Sequence, residues 1–451
     1  MTAYSPTVWV NGTAPALNAT NLNKLKNELA SQAAAKSISH SLPTWANGVP
    51  PAISDAAPLN EMERVTAAVA TSLGLSYTPT SWASGWVPAR NATRFNHMEQ
   101  QAQANRVVID VPPPQPGNLP SVISTGGTYT GTANGSGTGA AVRIATTQPV
   151  IIQDSVINHS GTGYGIDAHS TAGTDLTVLR TTFSGAAATG QAVKSTNYKR
   201  LVMTNCTING FWGVRGDANQ AGGTTLISKC KFNNQQDVHT NFWGWGHSLQ
   251  FADCLNSGIE VAWCQFINDF GSSRTEDVIS LYKTHGAYIH DCGVRGAYPA
   301  ALGDNYSGGG IMLGDNGGNN NLCEDSWAVG TLNYCLGILG GQGNVFRRCY
   351  GVSDSRSDSA QLFTGQSSNG LGIQGWHLQG PLPFQNNHFY DCTIGCTQEN
   401  GTRNDVYITT GADAPNLTVI RPGQVLNNSD EVTGWNGWLA HLAASGLSIG
   451  A

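Results

Sequence analysis

The sequence predicts a mainly β protein built around a parallel β-helix over residues 121–425, and three observations predict it. The first is a phrase that returns at a regular interval. In Leu201-Val-Met-Thr-Asn-Cys-Thr-Ile-Asn-Gly210 a β-branched and apolar run reaches Asn205-Cys206, then alternates through Thr207-Ile208 to an Asn-Gly turn. Leu226-Ile-Ser-Lys-Cys-Lys-Phe-Asn-Asn234 repeats it with Cys230 in the place of Cys206, and earlier copies carry Ser155 and Thr181 there. The steps from Ser155 through Thr181, Cys206 and Cys230 to Cys254 are 26, 25, 24 and 24 residues. Later copies carry Cys254 or Cys264, then Cys292, Cys349 and Cys392, at longer intervals. A period in the twenties made of short strands and turns is the signature of stacked repeats.

The second observation is an interleaved series in which a turn residue precedes a short β-run. It includes Gly165-Ile166, Ala192-Val193, Gly213-Val214, Asp237-Val238, Gly258-Ile259, Asp277-Val278, Gly310-Ile311, Gly337-Ile338 and Asp405-Val406. Each repeat therefore presents at least two strands. The third is composition: 55 glycines, 40% hydrophobic and only 12% charged residues, against about 25% charged in an ordinary globular domain. With β-branched residues plentiful this is not disorder but many tight turns around a thin, continuous core. A leucine-rich repeat shares the period but requires a leucine spacing and a helix per repeat, and neither is present.

Residues 1–110 carry a different repeat. Trp9-Val-Asn-Gly12, Trp45-Ala-Asn-Gly48 and Trp82-Ala-Ser-Gly85 recur at 36 and 37 residues, each followed by a proline (Pro15, Pro51, Pro88). Leu22-Asn23, Leu59-Asn60 and Phe95-Asn96 then open helical stretches over 23–30, 60–65 and 96–102. Asn18, Ser54 or Asp55, and Asn91 stand where N-caps are expected. A helix of three or four turns does not hold alone, so each module packs on its copies or on a partner. The tryptophans either close each module's own core or form a docking surface. Residues 111–120, opened by Val111-Pro-Pro-Pro-Gln-Pro-Gly117, read as a stiff linker. Residues 426–451 hold a short amphipathic helix, Asp430 to Ser445 with Trp435 and Trp438, expected to cap the exposed strand edge of the last repeat.

Charge and cysteine usage narrow the function. A formal charge of −6 without any Lys/Arg block argues against nucleic acid. No apolar run approaches a membrane span. Met1-Thr-Ala-Tyr-Ser lacks a charged and an apolar leader region, so a cytoplasmically made chain without a signal peptide is expected. The ten cysteines lie between Cys206 and Cys396, mostly at one repeated place where Ser and Thr substitute. That position predicts a buried ladder of free thiols rather than disulfides. With no Cys-x-x-Cys pair and no carboxylate at ligand spacing from His239, His247 or His285, no metal and no cofactor is predicted.

The Trp-x-Asn-Gly…Pro-x-Leu-Asn-Ala-x-x-Leu-Asn start, in three copies over residues 9–100, resembles the N-terminal modules of tail fibres and minor tail proteins of tailed bacteriophages. Thr125-Gly-Gly-Thr-Tyr-Thr-Gly131 and the cysteine phrase, over about 120–425, are similar to right-handed parallel β-helix proteins of the pectate-lyase-like class. The resemblance implies a virion protein, in the manner of a tailspike: an N-terminus docked on other tail proteins and a β-helix facing the host envelope glycan. It also implies a homotrimer. Some members of the class degrade surface glycans, others only bind them, and no catalytic motif carries over residue by residue. A structural, receptor-binding protein and a polysaccharide depolymerase, hydrolase or lyase, both stay open, with the first preferred because no acid pair stands apart from the turn pattern.

If the chain cleaves glycan, the acids come from carboxylates on neighbouring repeats. An inverting pair needs about 6.5–9.5 Å for its water, which stacked strands supply. Glu276, Asp277, Asp304 and Asp315 are the catalytic candidates, with Asp269 nearby; the Gly/Asn-rich stretch 303–321 departs furthest from the repeat period. Asp277 equally reads as a turn residue bonding its own backbone, since it shares its slot with Asp237, Asp405 and several glycines. Lys283 and Arg274 are the bases a lyase would draw on. Trp243 and Trp245, in Asn241-Phe-Trp-Gly-Trp-Gly-His247, are the glycan-binding candidates, because aromatic rings among glycines on a turn offer flat faces to sugars; packing between subunits is the rival use.

Overall fold

The computed structural model describes residues 25–30, 32–33, 57–72, 117–185, 190–235, 246–256, 258–269, 272–273, 275–298, 308–354, 369–372, 384–398, 401–408 and 411–450. The chain divides into two compact units, Met1–Pro113 and Pro114–Ala451.

In the first unit, residues 25–30 and 32–33 are helical, with Leu25, Leu29 and Ala33 buried at helical spacing. Helix α1 (Ala57–Ser72) repeats the pattern with Met62, Val65 and Val69 fully buried. Pro58 falls in its first turn, where the missing N–H breaks no helical bond. Trp9, Trp45 and Trp82, the caps Asn18, Ser54, Asp55 and Asn91, and the stretch 96–102 lie outside the described residues.

The second unit is mainly β. Its thirty-two described strands fall into three parallel sheets of 10, 11 and 11, and every third strand returns to the same sheet as far as Thr393–Cys396; Ala412–Asp413 and Thr418–Val419 then extend the second and third sheets. The first sheet runs from Val122–Ile123 to Asn369–Gly372, the second from Gly127–Tyr129 to Ala412–Asp413, and the third from Thr132–Gly135 to Thr418–Val419. One strand from each sheet makes a rung, and like positions meet like positions from rung to rung. In the second sheet Val178, Met203, Ile227, Val261, Ile289, Cys323, Phe346 and Phe389 are successive partners, and all are fully buried. In the third, Phe232 and Phe266 stack with ring centres 4.6 Å apart. Partners stacked about 4.8 Å apart fill the core as columns, which is why β-branched and aromatic residues recur at fixed intervals.

The repeated Ser/Thr/Cys position now has a physical explanation. After Thr130-Gly131, nine further connections from the second sheet to the third are two residues long: Asp154-Ser155, Arg180-Thr181, Asn205-Cys206, Lys229-Cys230, Trp263-Cys264, Asp291-Cys292, Asp325-Ser326, Arg348-Cys349 and Asp391-Cys392. The first residue of each of these nine is left-handed, with φ between 44° and 54°. The second donates its hydroxyl or thiol to the carbonyl two residues back: Ser155 to Gln153 at 2.7 Å, Thr181 to Leu179 at 2.9 Å, Cys230 to Ser228 at 3.3 Å. Cys206, Cys264, Cys292, Ser326, Cys349 and Cys392 do the same. Three residue types interchange because each is small, tolerates burial and carries one donor. All ten cysteines are free and buried.

Two sequence assignments shift. Cys264 holds the ladder position, whereas Cys254 follows the first-sheet strand Leu249–Ala252 and donates to Ala252, as Thr284 does to Tyr282. In the turn-residue series, Ile166, Val193, Val214, Leu249, Ile279, Ile311 and Leu336 are the true first-sheet partners. Gly258-Ile259 leads into the second sheet, and Asp277-Val278 is one residue early.

Helix α2 (Asn428–Ser445) opens with a capping box between Asn427 and Asp430 and ends on left-handed Gly446. It does not close the end of the stack. Its contacts are with Gly293–Ala297, Trp327–Thr331 and Tyr350–Ser353, along the outer face of the third sheet. Trp435 and Trp438 pack there on Val329 and Val352. Gly293 makes the approach possible: a Cβ at that position would lie 2.3 Å from the Trp438 ring.

Candidate functional site

Several connections from the third sheet to the first are long in sequence: early ones span 160–165, 186–192 and 210–213, and later ones 234–248, 268–276, 298–308 and 354–368, with 332–333 short between them; 373–386, from the first sheet to the second, is long as well. Functional side chains are therefore expected at the leading ends of the later first-sheet strands, where these segments arrive.

A cluster of titratable groups occupies that corner. Asp277 starts the strand Asp277–Tyr282 and pairs with Gly309, which pairs in turn with Tyr334. Tyr334 donates its hydroxyl to Asp277 Oδ1 over the intervening strand. Gly309 leaves the room: a Cβ there would meet Asp277 Oδ1 at 2.1 Å and the Tyr334 ring at 2.6 Å. His247 lies two residues ahead of Leu249, whose partner is Ile279, so it stands beside Asp277 on the preceding rung. Its Nδ1 is 3.2 Å from the Asp277 carbonyl, and its Nε2 is 3.2 Å from Glu276 Oε2. Glu276 is pinned through its backbone, donating to Gly246 O at 2.7 Å and accepting from Gly308 and Gly309 at 2.8 and 2.7 Å.

Electrostatics follow from depth. His247 and Asp277 side chains are 5% and 6% exposed, that of Glu276 29%. Burial, reinforced by the Glu276 charge, pushes the Asp277 carboxyl up to about 7. Burial holds the His247 imidazole below its usual value, against the pull of Asp277 and with help from Arg215. Burial and the Asp277 charge raise the Tyr334 phenol well above its ordinary range. The site thus keeps a neutral imidazole facing two carboxyl groups. One donor atom each from His247, Glu276 and Asp277 converges, the three lying within 4.8 Å of one another.

Among the predicted site residues, Glu276 and Asp277 come together. Asp315 ends the strand Gly309–Asp315 opposite Tyr282, and its charge is felt at Asp277 and His247. Asp304, Trp243 and Trp245 lie outside the described residues, as do Asp237, His239 and Arg274. Asp269 is on the third-sheet side, bonded to Asn234 and paired with Arg295 at 3.5 Å. Lys283 faces Asp253 at 3.9 Å. Asp277 is no solvent-facing turn residue; its carboxyl is committed to Tyr334 and His247. Glu276 and Asp277 are closer than the spacing of an inverting pair. Sequence reasoning missed the roles of His247, Gly309 and Tyr334, because only strand register brings them to Asp277.

Set against known proteins, the chain matches no family model and no curated sequence. No helix among the described residues is long and apolar enough to cross a membrane.

Proposed function

We propose that residues 121–425 wind as a right-handed parallel β-helix, and that the protein is a bacteriophage tail component of the tail-fibre or tailspike type. On this reading the N-terminal Trp modules grip other tail proteins, and the β-helix, as one of three identical chains, meets the host envelope glycan. The observation that carries it is the return of every third strand to the same parallel sheet, joined to a threefold Trp-x-Asn/Ser-Gly repeat at the N-terminus. Stacked repeats of three strand columns would present an extended surface of the kind repeat proteins use for binding. On this reading Trp243 and Trp245, which lie in sequence between the strands Lys231–Asn233 and Leu249–Ala252, are the residues that stack on sugar.

The test is incubation of purified full-length protein with envelope glycan of host cells, following binding, polymer size, reducing ends and unsaturated products. Binding without any change in the polymer is expected. Cleavage would make the protein a depolymerase, with Glu276, Asp277, Asp304 and Asp315 the acids to replace first. Neither binding nor cleavage would overturn the glycan reading.

A further inference from the structure

We propose that His247, Glu276 and Asp277 bind a divalent transition-metal ion of the zinc type, forming a clasp between neighbouring rungs where the long connections join the first sheet. The inference goes beyond the tail-protein reading and does not depend on it.

Four features of the corner support it. The donor set is one imidazole and two carboxylates, which suits zinc; calcium and magnesium prefer shells of oxygen alone. His247 Nε2 and Glu276 Oε2 are already 3.2 Å apart, about the edge of a tetrahedron whose bonds are ~2.1 Å. One donor atom from each of the three residues lies within 4.8 Å of the other two. The outer contacts fix the inner ones: Nδ1 of His247 faces the Asp277 carbonyl at 3.2 Å, which leaves Nε2 for a ligand. Tyr334 holds Oδ1 of Asp277, so Oδ2, now 3.9 Å from His247 Nδ1, is the oxygen that would turn to the ion.

The charge balance points the same way. Among the described residues no lysine or arginine forms an ion pair with the buried Asp277 carboxyl. A cation would balance the buried Asp277 carboxylate in a place where water does so poorly. The partial exposure of Glu276 gives the ion a way in. The ion would tie His247 on one rung to Glu276 and Asp277 on the next, and through Tyr334 to the rung two beyond.

The experiment uses full-length protein stripped with EDTA, dialysed and titrated with zinc chloride by calorimetry, beside His247→Ala and Asp277→Asn. Wild type should take one equivalent with a rise in Tm, and each variant should bind about tenfold more weakly or worse. Calcium chloride should give no comparable heat. No zinc uptake by wild type, or equal uptake by both variants, overturns the site. Should either variant fail to fold by circular dichroism, the part-exposed Glu276→Gln and cobalt substitution decide. A visible cobalt band of nitrogen and oxygen ligation, weakened in Glu276→Gln, supports the clasp. A thiolate charge-transfer band, or a spectrum unchanged in Glu276→Gln, overturns it.

Discussion

Tyr334 donates its hydroxyl to the carboxyl of Asp277 across a whole intervening strand, and the residue between them is Gly309. A side chain at Gly309 would overlap both groups. Gly309→Ala is therefore expected to destabilise the second unit by about 1–3 kcal/mol through forced displacement. Tyr334→Phe leaves the buried Asp277 without its donor and should cost about 1–3 kcal/mol. Denaturant unfolding of the two single variants and the double variant checks this. The double variant should fall well short of the sum, because both changes break one contact.

The thiol ladder predicts a chemical result. All ten cysteines are buried and unpaired, so a thiol reagent should find almost none in the native protein and ten after denaturation without reductant. Cys264→Ser should cost less than about 1.5 kcal/mol, since serine donates to the same carbonyl, as Ser155 and Ser326 do. Cys264→Val removes the donor and should cost more. Equal losses for the two would refute the hydrogen-bond account of this position.

Helix α2 is held by an acid–base chain. His441 Nε2 is 2.6 Å from Asp291 Oδ1, Asp291 Oδ2 is 2.7 Å from His290 Nδ1, and His290 Nε2 is 3.2 Å from Glu260. The Asp291 hydrogen bond raises His441 against partial burial. Burial opposes the His290 charge, but Asp291 and Glu260 outweigh it and push the ring up to about 10. Burial opposes the Asp291 charge as well, yet the two histidines hold it below the usual 3.8. Raised histidines contribute stability that is complete below 6.5 and is lost as pH climbs through the folded values. A depressed aspartate contributes stability present above 3.8 and lost as pH falls through its folded value. Hydrogen exchange over Asn428–Ser445 should be slowest between about pH 4 and 6.5 and quicken, after correction for intrinsic rates, towards pH 10. In His441→Ala that pH dependence should flatten.

Trp438 is fully buried against the third sheet, with its indole N–H 3.3 Å from the Asp291 carbonyl. Trp438→Ala should cost about 3–5 kcal/mol of the helix's attachment. Limited proteolysis should then cut within 428–450 while the strand unit stays whole. An uncut helix would mean that Trp438 does not anchor it.

The repeat of strands, the Ser/Thr/Cys position and the C-terminal helix were legible in the chain because each is local. A two-residue turn with one left-handed residue has a short, constant spelling, as in Asn205-Cys206 and Lys229-Cys230. The site was only half legible. Glu276 and Asp277 are neighbours in sequence, but His247 and Tyr334 reach them through connections of unequal length, 234–248, 268–276 and 298–308. Once those lengths vary, interval counting loses the register. That is why the Asp277-Val278 reading fell one residue short of Ile279 and the partner of His247 stayed hidden. The position of α2 was hidden for a similar reason: its resting place depends on Gly293, a residue nearly 150 positions upstream.

The central claim, that this chain is a tail component of a virus particle, is tested most directly by labelling purified particles with antibody raised against residues 114–451. Label at the tail, with the full-length chain recovered from the particles by mass spectrometry, is the predicted result. Particles that lack the chain, while infected cells contain it, would contradict the account.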